Sequence, residues 1–138
     1  MAPGGGDRLH LEPRKFFADL TARLIAHAEW QFRLSQPLPE GGTLGDAFRQ
    51  YRRTQGKPHP EDVGGEPLPP AAAHVLEWFW ELAAARGASA SGPQPLAPTE
   101  ILAWCMLRRL RLRGWELRAL RALDGRWLDV ARNAVRGR

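Results

Sequence analysis

The sequence predicts an all-α protein, a small single-domain bundle of about five helices joined by long Pro/Gly-rich loops. Three observations carry that reading. Apolar residues recur at three- and four-residue steps in five segments, which is the spacing of one helix face. No segment shows the apolar/polar alternation of a convincing strand. The 14 glycines and 12 prolines gather largely between the periodic segments, where they punctuate helices and build loops. A chain of 138 residues is long enough for one domain with a core of its own. Five of the six tryptophans fall between Leu76 and Leu128, so that stretch is expected to hold the centre of the molecule.

Residues 1–12 are glycine-rich and polar and are expected to be a flexible N-terminus. Pro13 suits the first turn of a helix and opens an amphipathic segment over 13–36. Its stripe is Phe16, Phe17, Leu20, Leu24, Ala28 and Phe32. Pro37, Pro39 and the Gly41-Gly42 pair end it, leaving a helix that packs on the rest or projects as an arm. A tryptophan-rich domain is expected over 43–136. Thr43 and Asp46 form a capping box with aspartate in the glutamate position. The short helix that follows shows Leu44, Ala47, Phe48 and Tyr51 on one face and stops at Gly56. KPHPEDVGGEPLPP is then a surface loop.

Pro69 and Pro70 launch a third helix ending near Arg86. Its core face is Ala72, Val75, Leu76, Phe79, Leu82 and Ala83, widened by Trp78 and Trp80. After the loop GASASGPQPLAP, Thr99 is expected to cap a fourth helix with Glu100 in its first turn. Ile101, Ala103, Trp104, Leu107 and Leu110 are placed on its broad apolar side, with Arg108 and Arg109 snorkelling away. Gly114 breaks the pattern, and Trp115-Glu116 opens the last helix. There Leu120, Leu123, Trp127, Ala131 and Ala134 share one arc, and Arg118, Arg121, Arg132 and Arg136 share another, a candidate basic interaction face. Gly125 costs about 1 kcal/mol relative to alanine inside that helix, and is read as admitting another helix closely.

The net charge of +5 is unevenly spread. Residues 99–138 hold ten arginines against Glu100, Glu116, Asp124 and Asp129, while the preceding part is nearly balanced. Such a half suits nucleic acid or an acidic protein. With Lys15 and Lys57 the only lysines, it also reads as the codon bias of a GC-rich genome. A single cysteine, Cys105, forms no internal disulfide and sits at helical spacing among apolar residues, as a small core hydrophobe would. That cysteine usage and a start without an apolar signal region fit a cytoplasmic protein. No apolar run approaches the ~18 residues of a membrane span. His10, His27, His59 and His74 lack a second ligand at metal-site spacing, and Glu77 and Glu81 are read as facing solvent. No triad order and no phosphate-binding loop appears. No cofactor and no enzymatic activity is therefore expected.

The order of motifs from Leu44 to Leu128 resembles a family of small phage and prophage proteins of tail-morphogenesis modules, described as tail assembly chaperones. The matching segments are LGDAFRQYRRTQGKPHPED, LEWFWELAAAR (with Phe79), PTEILAWCMLRRLRL and GWELRALRALDGRWL. Within them, the family's "EI-x-AW" helix corresponds to Glu100, Ile101, Ala103 and Trp104. Its "PWE … LD-x-x-(Y/W)-L" helix corresponds to Trp115, Glu116, Leu123, Asp124, Trp127 and Leu128. Gly114 stands where the family usually has proline, and the connecting loop lacks its Asn-Gly-Phe-Gly-like sequence. The resemblance implies a non-enzymatic assembly factor, monomeric or a small oligomer, working in the bacterial host cytoplasm. Its partners would be the tape-measure protein or tail-tube subunits, held in an apolar groove between helices. Two other readings stay open: a nucleic-acid-binding or packaging protein that makes weak, non-specific contacts through the arginine face, and a structural adaptor of the tail. Trp104 and Trp127 lie on the apolar arcs and are expected to be core residues rather than binding anchors.

Overall fold

The structure, a computed structural model, describes residues 4–86 and 92–136, with side chains over 13–86 and 92–134. The chain is all-α, as the periodicity predicts. Its helices are α1 (Gly4–Leu34), α2 (Leu44–Gln55), α3 (Ala73–Ala84), α4 (Pro98–Arg108) and α5 (Gly114–Arg136), with a 3₁₀ turn at Pro70–Ala72 leading into α3. Local chemistry sets most of the ends. At the start of α2 the Asp46 N–H donates to Thr43 Oγ1 over 3.1 Å, and the Thr43 N–H donates back to Asp46 Oδ2 over 2.9 Å. The expected capping box is complete. Gly56 closes α2 in the left-handed region, at φ 73°, where glycine is unstrained.

Two starts differ from the sequence expectation. α1 begins at Gly4, so Pro13 lies inside the helix instead of opening it. Proline removes a single N–H, whose acceptor would have been the Leu9 carbonyl, and the good helix formers Leu9, Leu11 and Glu12 stand before it. α4 begins at Pro98, with Ala97 as its N-cap and no side-chain cap. The fixed φ of Pro98 suits the first helical position, which places Thr99 one residue inside the helix and out of capping reach.

α5 is the central packing element of the fold. α1 and α3 both lie against it, α2 packs on the C-terminal half of α1, and the 3₁₀ turn fills in between α1 and α3. The stripe of α1 meets the core as predicted: Leu20, Leu24, Ala28 and Phe32 are buried, while Phe16 stays exposed. From α3 come Val75, Leu76, Phe79 and Leu82, and from α5 Trp115, Ala119, Leu120 and Leu123. Phe32 and Phe79 are the two largest fully buried side chains and meet at 5.3 Å between ring centroids, joining α1 to α3. Phe17 stacks on Trp115 at 5.0 Å, joining α1 to the start of α5. The 57–69 loop is strapped along α1. His27 Nδ1 lies 2.6 Å from the Glu66 carbonyl, and a Cβ on Gly65 would come within 2.6 Å of the Trp30 Cβ.

Candidate functional site

Glu116 and Asp124 are the buried charged residues of the described chain, and each fastens a neighbouring segment onto α5. Glu116 Oε1 accepts the Arg113 N–H over 2.7 Å, closing the first turn of α5, and Oε2 lies 2.7 Å from His74 Nε2 on α3. Asp124 pairs through Oδ1 with the Arg86 guanidinium, and its Oδ2 accepts the Leu96 N–H over 2.8 Å. Arg86 in turn donates to the Gln94 carbonyl over 2.7 Å and lies 4.4 Å above the Trp127 ring. A buried carboxylate is tolerated only where such partners replace water. This clasp therefore fixes residues 94–96, the approach to α4. The sequence motif residues of α5 are scaffold. Trp115, Leu123 and Leu128 are buried with them, and Phe79 is enclosed on α3.

α4 is anchored along one side only. Ile101 is its one buried residue. Trp104 is half-buried against Trp78, at 6.0 Å between centroids, and its Nε1 donates to Glu81 Oε1 over 3.1 Å. Arg108 Nε lies 3.1 Å from the same oxygen and its guanidinium faces the Trp104 ring. Arg108 thus turns back onto α3 instead of snorkelling away, and Glu81, although exposed, is a tether. Desolvation by burial pushes the thiol of half-buried Cys105 above its ordinary value.

The outward side of α4 is consequently apolar. Leu102, Met106 and Leu107 are 61%, 72% and 86% exposed, and Ala103 is exposed between them. The expectation that Ala103 and Leu107 share the buried side is overturned. At 100° per residue they fall opposite Ile101, and an apolar residue with nothing behind it gains nothing from the core. A helix apolar on both its inner and outer sides ordinarily belongs inside an assembly. Exposed methionine and leucine side chains side by side form an adaptable apolar surface.

Glu100 is exposed in the first turn of α4. At the other end Arg109 takes the left-handed conformation, φ 54° and ψ 41°, to close the helix. Arg109, Arg111 and Arg113 are all exposed and make no ion pair among the described residues. The arginine face of α5 is also exposed at Arg118, Arg121 and Arg132, with Asp129 on the same outward side; the Arg136 side chain lies outside the described residues. Gly125 lies on this side too, and a Cβ built there meets nothing within 4 Å, so no helix among the described residues is in close contact with it. That expectation is also corrected. An open groove of about 1030 Å³ runs between α1 and α5 past Phe17, Ala18, Thr21, Ala22, Trp115 and Ala122. Trp127 is half-buried beneath Arg86 and, like Trp104, joins core packing to a polar or cationic contact. No group of three or more His, Cys, Asp or Glu able to hold a metal occurs among the described residues. No helix there is long and apolar enough to cross a membrane.

A family model described as phage tail assembly chaperone matches residues 52–129, more than half of the chain. No curated protein and no solved structure gives a significant match. The matched span covers α3, α4 and most of α5, and therefore both the clasp and the apolar helix it presents. The chain belongs to the phage tail assembly chaperone family, and its role lies in tail morphogenesis.

Proposed function

We propose that this tail assembly chaperone holds a helical segment of the tape-measure protein or of a tail-tube subunit on the outward face of α4. The observation that carries the reading is the exposure of Leu102, Met106 and Leu107 on a helix anchored by its opposite side. Covering three such side chains removes apolar surface from water at about 25 cal/mol per Å², enough to drive a transient, reversible association. Release is as necessary to a chaperone as capture, and a small patch on a single helix suits both. The binding event involves no catalysis and takes place in the host cytoplasm, where tail proteins are made. Duplex DNA meets the arginines of α5 only weakly and non-specifically, because Asp129 interrupts them and no base-reading element accompanies them.

Co-expression tests this. The tape-measure and tail-tube proteins from the same tail module are each produced with the chaperone and captured on it. The wild-type chain retains one of them, and Met106→Glu with Leu107→Glu loses it while melting unchanged. Equal retention by wild type and variant would refute the α4 reading.

A further inference from the structure

Apart from the α4 face, we propose that the open pocket between α1, α3 and the start of α5 binds an acidic peptide of a partner protein. One aromatic side chain of the peptide lies against the pocket's rings, and neighbouring carboxylates meet Arg111 and Arg113. The pocket measures about 470 Å³, and its wall combines Phe16, Phe17, His74 and Trp78 with these two arginines. Buried Trp115 and Glu116 complete it. That volume is within the range of small-ligand sites, about 300–1,000 Å³.

The two cations are held in place and left uncompensated. Leu112 between them is half-buried and packs against the core. The Arg113 N–H donates to Glu116 Oε1 over 2.7 Å. The backbone carrying both guanidiniums is therefore pinned, while their side chains are exposed and make no hydrogen bond or ion pair among the described residues. Glu116 is the one acidic residue in the described lining. Its oxygens are already engaged, Oε1 by that N–H and Oε2 by His74 Nε2 at 2.7 Å. An excess of positive charge remains at the pocket, and guanidiniums match carboxylates with two parallel hydrogen bonds.

The rings decide what accompanies the carboxylates. Phe16 is 55% exposed and meets Phe17 edge-on at 5.3 Å between centroids. A partner's ring set against it gains apolar contact that this chain does not supply. The other rings are turned on one another. Phe17 stacks on Trp115, and His74 meets Trp78 and Trp115 edge-on at 4.8 and 5.7 Å. A single-stranded nucleic acid needs several open ring faces in a row for successive bases, and Phe16 is the pocket's one exposed ring. One aromatic anchor flanked by carboxylates fits what is offered. The open side suits a chain passing across it better than a free small molecule, which enclosed sites bury almost completely.

The test uses the full chain and labelled Gly/Ser-rich peptides with a central Glu-Phe-Glu, Gln-Phe-Gln or Glu-Ala-Glu, beside a labelled oligothymidylate. Anisotropy is read at 50 and 200 mM salt. At the lower salt the Glu-Phe-Glu peptide should bind about tenfold more tightly than Gln-Phe-Gln, the scale of two exposed pairs. It should also bind about tenfold more tightly than Glu-Ala-Glu, the scale of burying most of one ring. The first preference should narrow at the higher salt and the second persist. Arg111→Gln/Arg113→Gln should abolish the first while melting as wild type does, and Phe16→Ala should reduce the second several-fold. Arg121→Gln/Arg132→Gln, on α5 outside the pocket, should change neither.

Equal binding of the three peptides, or binding of none, would overturn the proposal. So would oligothymidylate bound more tightly than Glu-Phe-Glu, or a charge preference lost in Arg121→Gln/Arg132→Gln, which would mean diffuse attraction to a basic chain. Met106→Glu with Leu107→Glu separates this site from the α4 face. That variant should release the tail protein and keep the peptide. Loss of the peptide would place it on α4 and overturn the pocket, whereas peptide and tail protein both retained would defeat the α4 reading and leave this one standing.

Discussion

Asp124→Ala removes the hub of the clasp that leads into α4, and its cost can be worked from the contacts. The carboxylate and the Arg86 side chain are 8% and 10% exposed, so deletion leaves a cation sequestered from water. Removing one partner of a buried pair costs about 3–5 kcal/mol. The Leu96 N–H, buried and 2.8 Å from Oδ2, loses its acceptor as well, typically another 1–3 kcal/mol. Against this, Arg86 keeps the Gln94 carbonyl and the Trp127 ring, although its Nε has no hydrogen-bond partner among the described residues. The lower end, about 3 kcal/mol, is expected, or a melting temperature lower by roughly 10 °C in a chain of this length.

Urea denaturation followed by tryptophan fluorescence measures the loss directly, since Trp127 sits under Arg86. The double variant Asp124→Leu/Arg86→Met replaces the pair by apolar groups and should recover most of the stability. Loss of less than 1 kcal/mol in Asp124→Ala, or a double variant no better than the single one, would refute the buried-pair account.

Gly125→Ala should stabilise the chain by about 1 kcal/mol, because the new methyl meets nothing and the helix loses its most flexible residue; chemical denaturation checks it, and a lower midpoint would show that something in this chain needs the bare backbone. Asp46 titrates below the usual carboxylate value because it accepts the Thr43 backbone and hydroxyl hydrogen bonds and lies beside Arg49. A depressed folded value means stability that is present above the unfolded value and lost as pH falls through the folded one. The gap between wild type and Asp46→Asn should accordingly be constant at neutral pH and close below about pH 4. A gap that widens on acidification would contradict the cap.

Element existence was legible in the sequence because each helix carries its own period and punctuation. Thr43, Asp46 and Gly56 act within one helix, so their roles could be read from spacing alone. The orientation of α4 could not be read this way. Apolar residues run all round it, and its inward side is decided by Trp104 and Arg108 reaching Glu81 on α3. The same limit hid the clasps. His74 meets Glu116 across 42 residues and Arg86 meets Asp124 across 38, and no local pattern announces either pair. Glu116 and Asp124 were visible as motif residues, but only their burial shows that they brace the scaffold. Gly125 misled because a glycine inside a helix has two readings, close approach and open surface, and only the surroundings separate them.

Hydrogen exchange of the chaperone alone and in complex with its captured tail protein tests the docking face most directly. Amides of Pro98–Arg108 and of the following segment to Arg113 are expected to slow on binding, since a covered and rigidified α4 opens less often. Residues of the α1–α5 groove and the outward arginines of α5 should exchange as they do in the free chain. Protection confined to that groove or to Arg118–Arg132, with α4 unchanged, would contradict the central claim.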